Sequence, residues 1–341
     1  MPDFSIGVDL GGTNLRIAAV NQQGDLMDKV TLGTKKALGR DHVMNEMCDA
    51  IRQLKTKYGQ ASSLQGIGIG VPGIIDMKTG MLRESPNLPG WADSPVQAQI
   101  ERLLGTRVIL ENDANVAALG EKWLGAARNV DSMAMLTLGT GVGGGIVLEG
   151  RIWHGMNGMA GEFGHMTVEP EGPRCGCGNR GCLEQYASAS AVLRMAKEAI
   201  ASGRSSGMVN AASKDPVFNA KAVYDLAIQG DQEAKNVFAR VGRALGIAIA
   251  NLVNAFNLPM YVVGGGAASG WDAFSPFIFE ELQSRSLVYA ATAPNTPVSG
   301  GQASTGRSEP EGASKTIVTR ALIGSDAGLL GAARLPMTSG H

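Results

Sequence analysis

An excess of charge of either sign is missing from this chain. Its 30 lysines and arginines face 31 aspartates and glutamates, leaving a net charge of −1. That excludes the basic surface on which nucleic acid or an anionic membrane is held, so neither is expected as a partner. A run of about 18 apolar residues, the minimum for a membrane helix, is also missing. The opening Met1-Pro2-Asp3-Phe4 has neither the charged nor the apolar region of a secretory signal. Cysteine is scarce: there are four, and Cys175, Cys177 and Cys182 fall close together. That distribution fits metal ligands in a reducing compartment and not a disulfide framework. A cytoplasmic protein is expected.

What is present is glycine, 47 of 341 residues, about twice the usual ~7%. Such an excess implies many tight turns and close backbone approaches, which suits a binder of phosphates. The length allows two domains or lobes with real cores.

Phe4 to Leu10 alternates apolar and small residues and ends in Asp9-Leu10-Gly11-Gly12-Thr13-Asn14, after which Leu15 to Val20 resumes. Strand, glycine turn, strand is the expected structure, with a third strand at Leu26 to Leu32. The turn brings backbone N–H groups and the Thr13 hydroxyl toward an anion. Asp9 is either a metal-holding acid or the acceptor of an Asx turn. The pattern returns at Met133 to His154 around Gly139-Thr140-Gly141-Val142-Gly143-Gly144-Gly145. Two related lobes, each with a Gly/Thr loop, can hold a nucleoside triphosphate from both sides.

Other stretches carry open alternatives. Asn87, in Pro86-Asn87-Leu88-Pro89-Gly90-Trp91, is a turn former or a partner of a sugar hydroxyl. Glu111-Asn112-Asp113-Ala114-Asn115 follows the strand Arg107 to Leu110. There Asp113 is either the N-cap of the helix Ala114 to Leu124 or a base that accepts a hydroxyl proton. Gly264-Gly265-Gly266, after the strand Pro259 to Val263, passes a purine or ribose or is only a loop. Helices are expected at Asp41 to Tyr58, Val96 to Leu104, Glu184 to Ala201, Asp215 to Gly230, Asp231 to Asn257, Phe274 to Leu287 and Ser325 to Leu335. Residues 290–314, without apolar period, read as a long flexible loop.

The densest chemistry lies in Gly161-Glu162-Phe163-Gly164-His165 and Cys175-Gly176-Cys177-Gly178-Asn179-Arg180-Gly181-Cys182-Leu183-Glu184. One imidazole and three thiolates fill the four positions of a closed, structural zinc site. Such a site does no chemistry itself, but it fixes the loops bearing Glu162, His165 and Glu184, which together can bind a polyol.

In this order the motifs around Asp9, Asp113, Thr140, His165 and Cys175–Glu184 resemble the ROK family of repressors, open reading frames and sugar kinases, over about residues 4 to 335. The resemblance implies an α/β actin-like ATPase (ribonuclease H-like) fold of two lobes with a deep cleft between them. The lobes are expected at 1–116 and 117–323, with the helix at 324–335 returning to the first. It implies Asp113 as catalytic base and Asn87, Asn112, Glu162, His165 and Glu184 as sugar ligands. Asp9, Gly11, Gly12, Thr13, Thr140, Gly141, Gly264 and Gly265 fall to the nucleotide and its Mg²⁺, and His165, Cys175, Cys177 and Cys182 to Zn²⁺. Many members carry lysine where Asn14 stands here.

The implied reaction is transfer of the γ-phosphoryl group of ATP to the 6-hydroxyl of glucose, because the Asp9–Asn14 and Pro86–Trp91 stretches resemble the glucose-phosphorylating members. Fructose, mannose, N-acetylglucosamine and N-acetylmannosamine are the alternative sugars, and ADP or polyphosphate the alternative donors. A non-catalytic sugar sensor is the alternative of another class. Repressor members carry a DNA-binding segment ahead of the first glycine turn, which here begins near residue 9. A homodimer is expected by resemblance.

Overall fold

The alternation of Phe4, Ile6, Val8 and Leu10 becomes strand β1, Asp3–Leu10, in a computed structural model that describes residues 3–214, 217–294 and 315–338. β2 (Asn14–Asn21) and β3 (Leu26–Gly33) complete an antiparallel meander. α1 (Arg40–Gly59) then leads to β4 (Ser63–Val71), which pairs parallel to β1. A small antiparallel pair, β5 (Ile74–Asp76) and β6 (Met81–Glu84), and α2 (Val96–Leu104) precede β7 (Ile109–Asn112) and α3 (Asp113–Trp123).

The second half repeats the plan. β8 (Met133–Leu138), β9 (Val142–Leu148) and β10 (Arg151–Ile152) are followed by the helices α4 (Glu184–Ala187), α5 (Ala189–Ala201), α6 (Ser206–Lys214), α7 (Ala220–Ile228) and α8 (Gln232–Phe256). Next come β11 (Met260–Gly264), α9 (Trp271–Arg285), α10 (Leu287–Thr292), β12 (Ile317–Arg320) and α11 (Ala327–Arg334). The first sheet runs β3-β2-β1-β4-β7 and the second β10-β9-β8-β11-β12. The two orders correspond strand for strand, so the repeat read around the two glycine turns extends to whole sheets.

By packing, the chain forms two compact units. Of the described residues, the first holds those up to Met135, Gly145–Gly161 and those from Leu322 on; the second holds Leu136–Gly144 and those between Glu162 and Ala321. The division expected after residue 116 falls inside α3, a continuous helix.

In the first unit one face of the sheet meets α1, where Phe4, Ile6 and Val8 pack with Val43, Met47, Ile51 and Leu54. Emptying the fully buried Ile51 to alanine would cost ~3 kcal/mol. The other face takes α11: Ala18 and Val20 cluster with Leu329, Leu330 and Ala333. Helix α11 comes so close to α3 that a Cβ on Gly331 would lie 1.6 Å from Val116 O. Glu121, fully buried in α3, secures the approach to α11 by accepting the N–H groups of Leu322 (3.1 Å) and Ile323 (2.8 Å).

In the second unit α8 is the core. By length and composition it could cross a membrane, but 67% of its most apolar window is buried, as in the central helix of a folded domain. The helix expected from Glu184 to Ala201 breaks at Ser188, whose hydroxyl caps α5 by accepting Ala191 N at 3.0 Å. Residues 290–292 belong to α10 and not to the expected loop; 295–314 lie outside the described residues.

Candidate active site

Ligands of parallel α/β sheets gather at the carboxyl ends of strands, and β7 ends at Asn112. Asn112, and not Asp113, caps α3. Its Oδ1 accepts Ala114 N (2.9 Å) and Asn115 N (3.3 Å), and its Nδ2 donates to Gly73 O at 3.1 Å. These bonds leave one N–H of the amide for a ligand. Asp113 is the first helical residue, with Oδ1 accepting Ala114 N at 2.9 Å.

Behind this corner lies Glu111, 1% exposed. Its Oε1 accepts Asn112 N (2.8 Å) and Asn115 Nδ2 (2.9 Å), and its Oε2 stands 2.6 Å from His154 Nε2. A buried carboxylate is tolerated only when so paired. The Glu111 contact in turn holds the His154 imidazole more basic than usual, against the opposing effect of burial. Asp113 thus follows a backbone clamped at its two preceding residues. The sequence reading assigned no role to Glu111 or His154. An acid at the end of an apolar strand was the available signal for the first; the second is 43 residues away.

The turn after β1 closes through Gly11 N to Asn14 O, 2.8 Å. Among the described residues no acceptor takes the N–H groups of Gly12 and Thr13. Asp9 is largely buried and pairs with Arg16 Nη1 at 3.0 Å. Burial raises its pKa and Arg16 opposes the rise. Asn87 sits exposed in a loop anchored by buried Leu88 and Trp91.

In the second unit, the ligand atoms of His165, Cys175, Cys177 and Cys182 all lie within 4.8 Å of one another. His165 Nδ1 is 3.7 Å from Cys175 Sγ, and the sulfurs of Cys177 and Cys182 are also 3.7 Å apart. Tetrahedral zinc with Zn–S bonds of ~2.3 Å sets its sulfurs ~3.8 Å apart, so distances and donor chemistry both fit that ion. Burial pushes the Cys182 thiol up to about 12, and the neighbouring sulfurs add to the rise. A central cation reverses that repulsion and holds the thiolates.

The loop folds by backbone bonds, Cys175 N to Asn179 O (2.8 Å) and Gly181 N to Pro173 O (2.9 Å). Gly181 has φ +65, and a Cβ there would lie 1.5 Å from Glu169 O, so only glycine closes this ring.

The cluster reaches two acids. His165 Nε2 is 3.9 Å from Glu162 Oε2, and Cys175 Sγ is 4.0 Å from Glu184 Oε1. The other Glu184 oxygen accepts Val142 N at 3.0 Å, which ties the Cys175–Glu184 loop to the end of the Thr140-Gly141 turn.

Beside that turn is a cavity of about 400 Å³. Gly139 and Thr140 line one part and Val192, Tyr224, Phe238 and Phe274 its apolar wall. Gly141, Gly264 and Gly265 do not line it; Gly266, Ala267 and Gly270 do. Gly264 ends β11 and Gly265 turns the chain against Leu138.

The model of the ROK family matches residues 5–338. The chain is 39% identical to a glucokinase of Halalkalibacterium halodurans over 96% of its own length and 92% of that protein's. It is 41% identical to a glucokinase of Thermotoga maritima over 80% of this chain and 84% of that one. Among solved structures it resembles a ROK family glucokinase from Streptomyces griseus in complex with glucose and AMPPNP. There the TM-score is 0.72 at 32% identity, covering 97% of this chain and 98% of the other.

Proposed function

The chain belongs to the ROK family, and from that premise we propose that it uses ATP to phosphorylate the 6-hydroxyl of glucose. The fold is that family's actin-like ATPase fold, and the enzyme is a glucose kinase. The observation that carries the reading is the corner at the end of β7, where Asp113 stands on a backbone locked by Glu111, Asn112 and Asn115.

Phosphoryl transfer asks for positioning and charge neutralisation more than covalent work. Asp113 accepts the proton of the sugar hydroxyl as its oxygen attacks the γ-phosphorus, and ADP departs with the electrons of the broken P–O bond. Glu162, His165, Glu184, Asn87 and the remaining N–H of Asn112 hydrogen-bond the other hydroxyls. A site that pairs each hydroxyl rejects epimers, because a mismatch leaves a buried group without its partner.

The apolar cavity in the second unit takes the nucleotide base, with the N–H groups of Thr140 and Gly141 toward the phosphates. The Gly12 and Thr13 N–H groups serve the phosphates likewise. Asp9 would hold Mg²⁺ through water, where the ion supplies charge neutralisation to the nucleotide. His165, Cys175, Cys177 and Cys182 would hold Zn²⁺, which fixes their loop. Three of the four cysteines would then be metal ligands, a usage that fits a reducing, cytoplasmic setting. A homodimer completes the proposal and is checked by sedimentation.

The test is a coupled assay over glucose, fructose, mannose and the N-acetylated hexosamines with ATP, ADP and polyphosphate. Glucose with ATP is expected to give the highest kcat/KM. Sugar binding without turnover for any pair would instead assign the chain to the sensors.

A further inference from the structure

The turn Leu10-Gly11-Gly12-Thr13-Asn14 carries no charge of its own. Arg16, the cation nearest it along the chain, is already engaged: its guanidinium donates to Asp9 Oδ2 at 3.0 Å and to Ser325 O at 3.2 Å. A second cation reaches the turn from beyond β3. Thr34, buried, donates its N–H to Thr13 O at 2.8 Å and its hydroxyl to Gly11 O at 2.7 Å. Those two bonds staple the end of β3 to the turn, and a single 3-10 turn, Lys36–Leu38, follows at once.

Lys36 sends its ammonium back over Gly12. A Cβ placed on Gly12 would lie 3.6 Å from Lys36 Nζ and 3.3 Å from Asn87 O. The ammonium donates to that same carbonyl at 3.3 Å, and among the described residues it makes no ion pair. Its neighbour Lys35 pairs instead with Glu46. One carbonyl satisfies one of the three ammonium protons. Two remain over Gly12, in a turn whose Gly12 and Thr13 N–H groups no acceptor takes among the described residues, and a cation beside free backbone amides makes an anion site.

We propose that Lys36 is a catalytic residue that touches the oxygens of the transferred γ-phosphoryl group. This rests on the kinase reading above. Lys36 bridges the phosphate turn and the Asn87 loop of the first unit, and the γ-phosphoryl is the one group that meets both donor and acceptor in the reaction. Charge spreads over its three equatorial oxygens in the transition state, and a cation already in place stabilises that charge without reorganising. In the step, the P–O bond to the sugar oxygen forms and the bond to the β-phosphate breaks. The hydroxyl proton goes to Asp113, and Lys36 keeps all three of its own.

The experiment compares the wild type with Lys36→Met and Lys36→Arg. The side chain is exposed and its bond is to one carbonyl, so both variants are expected to melt with the wild type. Lys36→Met should lower kcat about 100-fold, the loss typical of removing one transition-state donor, with KM for glucose changed less than about twofold. By calorimetry it should weaken a non-hydrolysable ATP analogue by about tenfold or more and leave ADP within about twofold, since only the triphosphate carries the group Lys36 meets. Lys36→Arg should restore part of both losses. A Lys36→Met enzyme with kcat within about threefold of wild type, or with ADP and the analogue weakened equally, overturns the proposal. Should the wild type phosphorylate no hexose, the kinase reading falls, while the comparison of the analogue with ADP still reports on Lys36.

Discussion

Two corners of the molecule carry the proposed sugar ligands, and they are held by opposite means. The corner Glu111–Asn115 is organised by the protein's own groups: a buried carboxylate, a capping amide and an imidazole drawn from residue 154. The loop from His165 to Glu184 has little apolar material, and its four converging donors are its organising feature. The first corner is therefore as stable as the core behind it. With zinc bound as proposed, the second would be as stable as its metal, because in a loop with little to bury, the free energy of binding the ion is the free energy of folding. The difference teaches where each corner should fail: one to a change of charge or pH, the other to a chelator.

The largest effect that tests this contrast is expected from Asp113→Asn. General-base catalysis contributes roughly 10²- to 10⁴-fold, so kcat should fall by that much while KM for glucose and bound metal stay unchanged. Near-normal turnover would reduce Asp113 to a first-turn residue of α3.

Cys177→Ala should come next. Elemental analysis is expected to find zinc lost, KM for glucose should rise about tenfold as Glu162, His165 and Glu184 loosen, and Tm should fall by several degrees. A chelator should do the same to the wild type and leave the far-ultraviolet spectrum of the first unit largely intact. Retained metal or an unchanged KM breaks the link between the loop and the sugar.

Glu111→Gln strikes the other corner. Breaking a buried pair by neutralising one partner costs ~3 kcal/mol, read as a lower denaturation midpoint with metal content unchanged. Loss of zinc in this variant would show that the two corners do not act independently.

The smallest effect is the pH dependence of His154. Its folded pKa is raised by Glu111, so the protonated form is favoured in the folded state. The stability it adds is fully present below the unfolded value of ~6.5 and is lost as pH rises through the higher folded value. The stability difference between wild type and His154→Gln should be largest below the unfolded value and shrink steadily toward alkaline pH. A difference that grows with pH would mean that the imidazole sits there neutral.

The parts of this molecule legible in its sequence are those whose partners are close in the chain. The strand–turn–strand units around Gly11 and Thr140, the helix over 96–104 and the Cys175–Cys182 spacing all depend on residues within a few positions of one another. The helix expected to run from Glu184 stopped at Ser188 because a capping hydroxyl interrupts an otherwise helical composition. The cap of α3 went to Asn112 because Gly73, 39 residues away, orients its amide. Glu111 with His154, Glu121 with Leu322 and Ile323, and Lys36 with the Gly12 turn each join residues far apart in the chain. No local period announces such pairs.

By itself, then, the amino-acid order determined which segments become strands, where glycine must bend the backbone, and that one imidazole and three thiols can share a metal. The tertiary structure alone decided which acid is buried behind the β7 corner, which amide closes α3, and which lysine stands over the first glycine turn. Local propensity acts through bonds between near neighbours. A buried charge and its partner are chosen by the packing of whole elements, which brings together groups that the chain keeps tens or hundreds of residues apart.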